Sequence, residues 1–169
     1  EKIEDLIFPH FWNLYSDGYL KMCAICIIKL QNSFNSNGSS ERVLTQRLNL
    51  YDMLYEKLQI YPLLVPIDAK NGTFTVIACK KSDPVELAVE CLNFAFNIIN
   101  EVSEKNPNFS YGSKISGPLF AVVETGGELV IGWTGNKTKK TIMTGEMIDR
   151  ASKVLDNASL AGNVCVSRK

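Results

Sequence analysis

The 169-residue chain predicts an α+β fold, a ferredoxin-like βαββαβ core with extra strands and helices, on three observations. The run Met22 to Leu30 is almost wholly apolar and short, the pattern of a strand buried on both faces. Two longer segments, Glu41 to Leu58 and Asp83 to Ile99, repeat apolar residues at helical spacing. Asn71-Gly72 lies between two apolar runs and suits the positive φ angles of a tight hairpin. Strand, helix, hairpin, helix and further strands is the order of such a core, although alternation alone does not single it out.

In chain order, Asp5 to Tyr19 has apolar residues at roughly helical spacing, interrupted by Pro9, and predicts a lead-in helix within residues 1–20. Met22–Leu30 is the first core strand. Gln31 to Ser40 is rich in Asn, Ser and Gly and reads as a loop ending on Ser39 or Ser40 as a helix cap. Val43, Leu44, Leu48, Leu50, Met53, Leu54 and Leu58 form the apolar stripe of the helix that follows. Leu63–Val65 and Phe74–Ala78 are the hairpin strands. Asp83-Pro84-Val85-Glu86 then combines a cap, a proline at the first helical position and a glutamate at the third. Leu119–Val123 and Leu129–Ile131 flank Thr125-Gly126-Gly127-Glu128, a second hairpin or a tight connection. Met147–Leu155 predicts a short helix and Val164–Val166 a closing strand. The whole chain, 1–169, reads as one domain cut from a larger protein.

Composition sets bounds on function. With 46% apolar and 21% charged residues, the chain has the balance of a globular domain, and no stretch approaches the roughly 18 unbroken apolar residues that span a bilayer. Any membrane attachment would come through parts of the protein outside this chain. Eighteen basic against eighteen acidic residues leave no net charge, so the basic field that drives nucleic-acid binding is missing. Five scattered cysteines, mostly in apolar runs, read as buried thiols in a reducing compartment. Cys23-x-x-Cys26 has redox or zinc spacing, but three residues along a strand places the two thiols on opposite faces. His10 is the only histidine, which leaves little material for a Cys/His zinc site.

From Leu119 onward, Thr125-Gly-Gly-Glu128, Val130-Ile-Gly-Trp-Thr-Gly135, Thr144-Gly-Glu-Met-Ile-Asp-Arg-Ala-Ser-Lys153 and Gly162-Asn-Val-Cys-Val-Ser167 follow one another without a gap. In that order they resemble the turn, strand, helix and strand motifs of class III adenylyl and guanylyl cyclase catalytic domains, with the glycines and the Ala151-Ser152 pair in register. Upstream, Ile7-Phe-Pro-His-Phe11 is similar to the segment that leads into that domain, and the strand, helix and Asn71-Gly72 hairpin match its order. The resemblance spans the chain, is strong only over residues 119–169, and rests on collinearity. A rival, the G-G-[DE]-E-F turn of diguanylate cyclases, is suggested by Gly126-Gly127-Glu128 but lacks that family's upstream acidic segment.

The resemblance implies the class III nucleotidyl cyclase fold and a head-to-tail dimer, a homodimer or a heterodimer with another cyclase domain, acting on ATP or GTP. Family members hold two Mg²⁺ ions on two aspartates, one ending the first strand and one in the hairpin; the cations turn triphosphate repulsion into attraction. Here those positions fall on Lys29 and Gly72, and residues 25–32 contain no Asp or Glu. The partner half-site's Asn and Arg correspond to Asp149 and Lys153, and the two base-reading positions to Asp68 and Ile142. Lys153 keeps a positive charge without the planar fork of Arg. The expectation is a cyclase-type domain in cyclic-nucleotide signalling, on the cytoplasmic side, released from catalysis and needing no cofactor. One alternative is an active cyclase using Mg²⁺ or Mn²⁺ on other ligands such as Asp68 or Glu124. Another is a nucleotide sensor in which Lys29 and Lys153 grip phosphates without metal.

Overall fold

A computed structural model describes residues 19–20, 23–30, 40–70, 72–78, 83–102, 119–126, 129–134, 140–156 and 163–166. In chain order these form β1 (Tyr19–Leu20), β2 (Ala24–Leu30), α1 (Ser40–Leu58), β3 (Leu64–Lys70), β4 (Thr73–Ala78), α2 (Pro84–Val102), β5 (Leu119–Thr125), β6 (Leu129–Thr134), β7 (Lys140–Thr144), α3 (Glu146–Leu155) and β8 (Val164–Val166). A five-stranded sheet runs β3-β4-β2-β5-β8, and a three-stranded sheet runs β1-β6-β7. The β3-β4-β2-β5 part is antiparallel throughout, with α1 linking β2 to β3 and α2 linking β4 to β5. That interleaving is the ferredoxin-like core, and β8 adds to it in parallel with β5.

The apolar run predicted as a central strand is β2, flanked by β4 and β5. Its alternate residues serve two cores, as strand geometry requires. Ala24, Cys26, Ile28 and Leu30 pack with Leu50, Met53, Leu54 and Leu58 of α1 and with Leu87, Cys91, Phe94 and Ile98 of α2. Cys23, Ile25 and Ile27 pack on the other face with Met147, Ala151 and Leu155 of α3 and Leu129 of β6. Cys23 and Cys26 therefore lie in different cores, as their spacing predicts. Burial, with the nearby Cys91 second, raises the Cys26 thiol well above its ordinary pKa. Cys23, Cys26, Cys91 and Cys165 are all thiols rather than disulfides. Native-state alkylation mapped by mass spectrometry is expected to modify half-buried Cys165 at least tenfold faster than buried Cys23, Cys26 and Cys91. Equal rates would contradict the two-core arrangement.

Helix α2 starts as its sequence predicts: the Asp83 carboxylate accepts the Val85 N–H at 2.7 Å, and the Asp83 carbonyl accepts the Leu87 N–H at 3.1 Å. Of the two readings for Thr125–Glu128, the tight connection holds and the hairpin does not: Gly126, at φ 72°, turns the chain out of the five-stranded sheet so that β6 pairs with β1 and β7. Three expectations are corrected. Tyr19 and Leu20, placed in the lead-in helix, are paired strand residues, while residues 1–18 lie outside the described set, as does Ser39. Ser40 is the first residue of α1. Leu44 and Leu48 belong to the α1 stripe but are exposed, because the stripe from Met53 round to Leu48 covers an arc of roughly 220° at about 100° per residue, wider than one sheet face can bury. Among the described residues no helix is long and apolar enough to cross a membrane.

Candidate functional site

The site predicted from sequence is assembled from the end of β2, the β3–β4 turn and α3. Residues opposite one another across the sheet share a face. Lys29 pairs with Thr73, and Thr73 with Lys70; Ile27 pairs with Thr75, and Thr75 with Asp68. Ile27 belongs to the α3-side core, so these two rows give that face a polar end at Lys29, Asp68 and Lys70, next to an apolar centre. Asp68 is half-buried and ion-paired to Lys70 at 2.6 Å. It follows an irregularity at Pro66, where a residue without an N–H interrupts the ladder of an edge strand.

Position 72 meets the end of β2 at Leu30, not at Lys29, which lies opposite Thr73. The Leu30 N–H donates to the Gly72 carbonyl at 2.8 Å, which joins the turn to the end of β2. Gly72 has φ 78°, a conformation that costs a residue with Cβ about 1–2 kcal/mol. A Cβ there would stand 3.8 Å from Arg47 Nε. Its N–H donates to the Tyr51 hydroxyl at 3.0 Å, and Tyr51 and Tyr55 flank Phe74 at ring distances of 6.1 and 5.0 Å.

The Tyr51 phenol is held above its ordinary pKa of 10.0, mainly by burial, with the Gly72 bond and Arg47 pulling the other way and Asp68 adding to the rise. Tyr55 is raised by burial and then by Asp68. A raised phenol keeps its proton in the folded state when the unfolded chain has lost it, so this contribution is complete below pH about 10 and fades above it. Tyr51→Phe is expected to cost about 1–2 kcal/mol at pH 7, because the buried Gly72 N–H loses its acceptor. It should also shrink the stability loss between pH about 7 and 10.5, read from urea unfolding at both values.

Helix α3 buries Met147, Ala151 and Leu155, one every four residues, which leaves Asp149 and Lys153 exposed on its outer side. Neither of these side chains makes a hydrogen bond or ion pair among the described residues. The Lys29 ammonium donates to the Leu155 carbonyl at 3.1 Å, at the helix end where unpaired carbonyls favour a cation. The strand end is thus tied to the helix that carries Lys153. Ile142 is elsewhere: it lies on β7, opposite Gly132 in the three-stranded sheet, so Asp68 and Ile142, the positions the resemblance suggested for base reading, belong to different sheets.

One ion pair was missed by the sequence reading. Glu124 is 1% exposed and bonded to Arg150 of α3, Nε to Oε2 at 3.0 Å; Arg150 Nη2 reaches the Thr125 carbonyl at 3.3 Å, and Nη1 reaches Glu146 at 3.4 Å. The signal was present: Glu124 continues the alternation of Val122 in an apolar strand and so had to point inward. Above the pair opens a cleft of about 260 Å³ between α3, β5 and β8.

No protein-family model matches the chain, and no curated protein matches it. Solved structures do match. The guanylate cyclase domain of RhGC from Catenaria anguillulae, in complex with GTP, superposes with a TM-score of 0.71 at 15% identity over 88% of this chain and 79% of that one. The dimeric guanylyl cyclase domain of the RhoGC fusion protein from Blastocladiella emersonii gives 0.71 at 14% over 89% and 81%. The adenylyl cyclase CyaB from P. aeruginosa gives 0.68 at 15% over 86% and 76%. The chain has the nucleotide cyclase fold. At these identities the likeness is one of fold, and the site must be judged on its own residues.

A cyclase would hold Mg²⁺ at the junction of β2 and the β3–β4 turn, and the residues at that junction do not fit the ions. Lys29 brings an ammonium and Gly72 no side chain, and Arg47 stands beside the place a carboxylate would enter. The alternative ligands are committed elsewhere, Asp68 to Lys70 and Glu124 to Arg150. Among the described residues no three His, Cys, Asp or Glu side chains gather into a group that could hold a metal.

Proposed function

We propose that this domain is a cyclase-fold module that has lost nucleotide cyclisation and acts in cyclic-nucleotide signalling by pairing with a second cyclase-type domain, as the intracellular part of a larger protein. The observation that carries this reading is the junction of β2 with the β3–β4 turn. Its backbone is joined by the Leu30–Gly72 bond, while the two positions for carboxylates hold an ammonium turned to the Leu155 carbonyl and a glycine. A triphosphate brought there would meet no metal, and on the opposing half-site Asp149 would add a negative charge.

The test combines three measurements on the 169-residue chain. Incubation with ATP or GTP and Mg²⁺ or Mn²⁺ is expected to give no cyclic nucleotide above the protein-free control. Isothermal titration is expected to detect no metal-dependent nucleotide binding, and ultracentrifugation a concentration-dependent dimer. Cyclic product formed with metal would sink the reading. Nucleotide binding of equal strength with and without metal would favour a sensor instead, a second reading supported by exposed Lys153, whose ammonium has no partner among the described residues.

A further inference from the structure

The cleft between α3, β5 and β8 has the chemistry of a small-ligand site. Val154 and Val166 give it apolar walls over the buried Val122, with the Cys165 thiol among them. Its buried charge is cancelled where it lies, since the Glu124 carboxylate is bonded to Arg150. What remains in the lining is Lys153, exposed and making no bond among the described residues, whose ammonium can reach the cleft mouth. A volume of about 260 Å³ lies below the range for drug-sized ligands and suits about ten non-hydrogen atoms. A nucleoside triphosphate is too large for it, and its several charges would face a single cation against hydrocarbon.

We propose that this cleft binds a small organic anion with an apolar body, a monocarboxylate of branched aliphatic or aromatic type. The body lies against Val154 and Val166, and the carboxylate pairs with Lys153 Nζ. Charge complementarity selects the acid: an amine would be repelled at the rim, and a neutral amide would give up the charge-assisted bond. The proposal is independent of the cyclase reading and survives if that reading fails.

The probe is phenylacetate, with phenylacetamide as its uncharged counterpart, titrated calorimetrically into the 169-residue chain and the variants Lys153→Gln and Val154→Trp. Saturable binding of phenylacetate is expected, weakened about tenfold when either the carboxylate or the lysine charge is removed. Val154→Trp, which fills the cleft, is expected to abolish it while the far-ultraviolet circular dichroism stays unchanged. Bound phenylacetate should also slow iodoacetamide modification of Cys165 several-fold, a readout that does not depend on calorimetric heat. Absence of saturation up to about 20 mM, far weaker than useful recognition, overturns the proposal. So does equal binding of acid and amide, unchanged affinity in Lys153→Gln, or full Cys165 reactivity at saturating phenylacetate.

Discussion

Arg150→Met is expected to destabilise the domain by about 3–5 kcal/mol, the loss that follows when one partner of a buried ion pair is removed. Glu124 is 1% exposed, so without Arg150 Nε at 3.0 Å its carboxylate must either stay charged in hydrocarbon or take up a proton. The surrounding core offers no substitute, because Val122 and Val154 have no donors. The double variant Glu124→Leu with Arg150→Met is expected to recover most of the loss, since apolar groups of similar size replace a buried pair at little cost. Urea unfolding of wild type, both single variants and the double variant gives the coupling directly. Additive losses in that cycle would mean the pair contributes nothing as a pair.

Placing aspartate at the two positions that the resemblance gives to metal ligands, Lys29→Asp with Gly72→Asp, is expected to leave the chain without cyclic-nucleotide production and to make it less stable. Gly72→Asp meets strain at φ 78°, about 1–2 kcal/mol. Its carboxylate enters beside Arg47 Nε, which competes with any divalent cation. Lys29→Asp replaces the ammonium on the Leu155 carbonyl with a negative charge at the negative end of a helix, a further loss of about 1–2 kcal/mol. Two added carboxylates therefore do not make a metal site in this surround. Product from the double variant with Mn²⁺, measured by chromatography, would locate the defect in the two carboxylates alone.

The central strand, the three helices and the Gly72 turn were legible because each is written in local spacing, period two or period 3.6. Cys23 and Cys26 could be assigned to opposite faces on that basis alone. What local spacing could not give was partner choice. Leu119–Thr125 and Leu129–Thr134 are both apolar and separated by a glycine turn, which suits a hairpin and a tight connection alike; the long-range pairing of β6 with Tyr19–Leu20 and its local pairing with Lys140–Thr144 send them to different sheets. Lys140–Thr144 itself starts on a lysine and alternates weakly, so it was not picked out as a strand. At the site, the meeting of the end of β2 with the Gly72 turn followed from topology. Lys29 turning to the Leu155 carbonyl, and Arg150 reaching Glu124, required the fold, since 126 and 26 residues separate those partners.

The strand order β3-β4-β2-β5 has a consequence for how the molecule comes apart. Each βαβ unit, β2-α1-β3 and β4-α2-β5, contains two strands that never touch; each is held open by a strand of the other unit. Neither unit has a hydrogen-bonded ladder between its own two strands, so opening β2-α1-β3 removes both neighbours of β4 and leaves β5 paired with β8 alone. A chain cut at the Gly72 turn would leave the first piece with no strand ladder among the described residues and the second with only β5–β8 and β6–β7, so the core sheet would form only when the two are mixed. The same mutual dependence carries a disturbance at the Lys29 end of β2 into both helical layers at once.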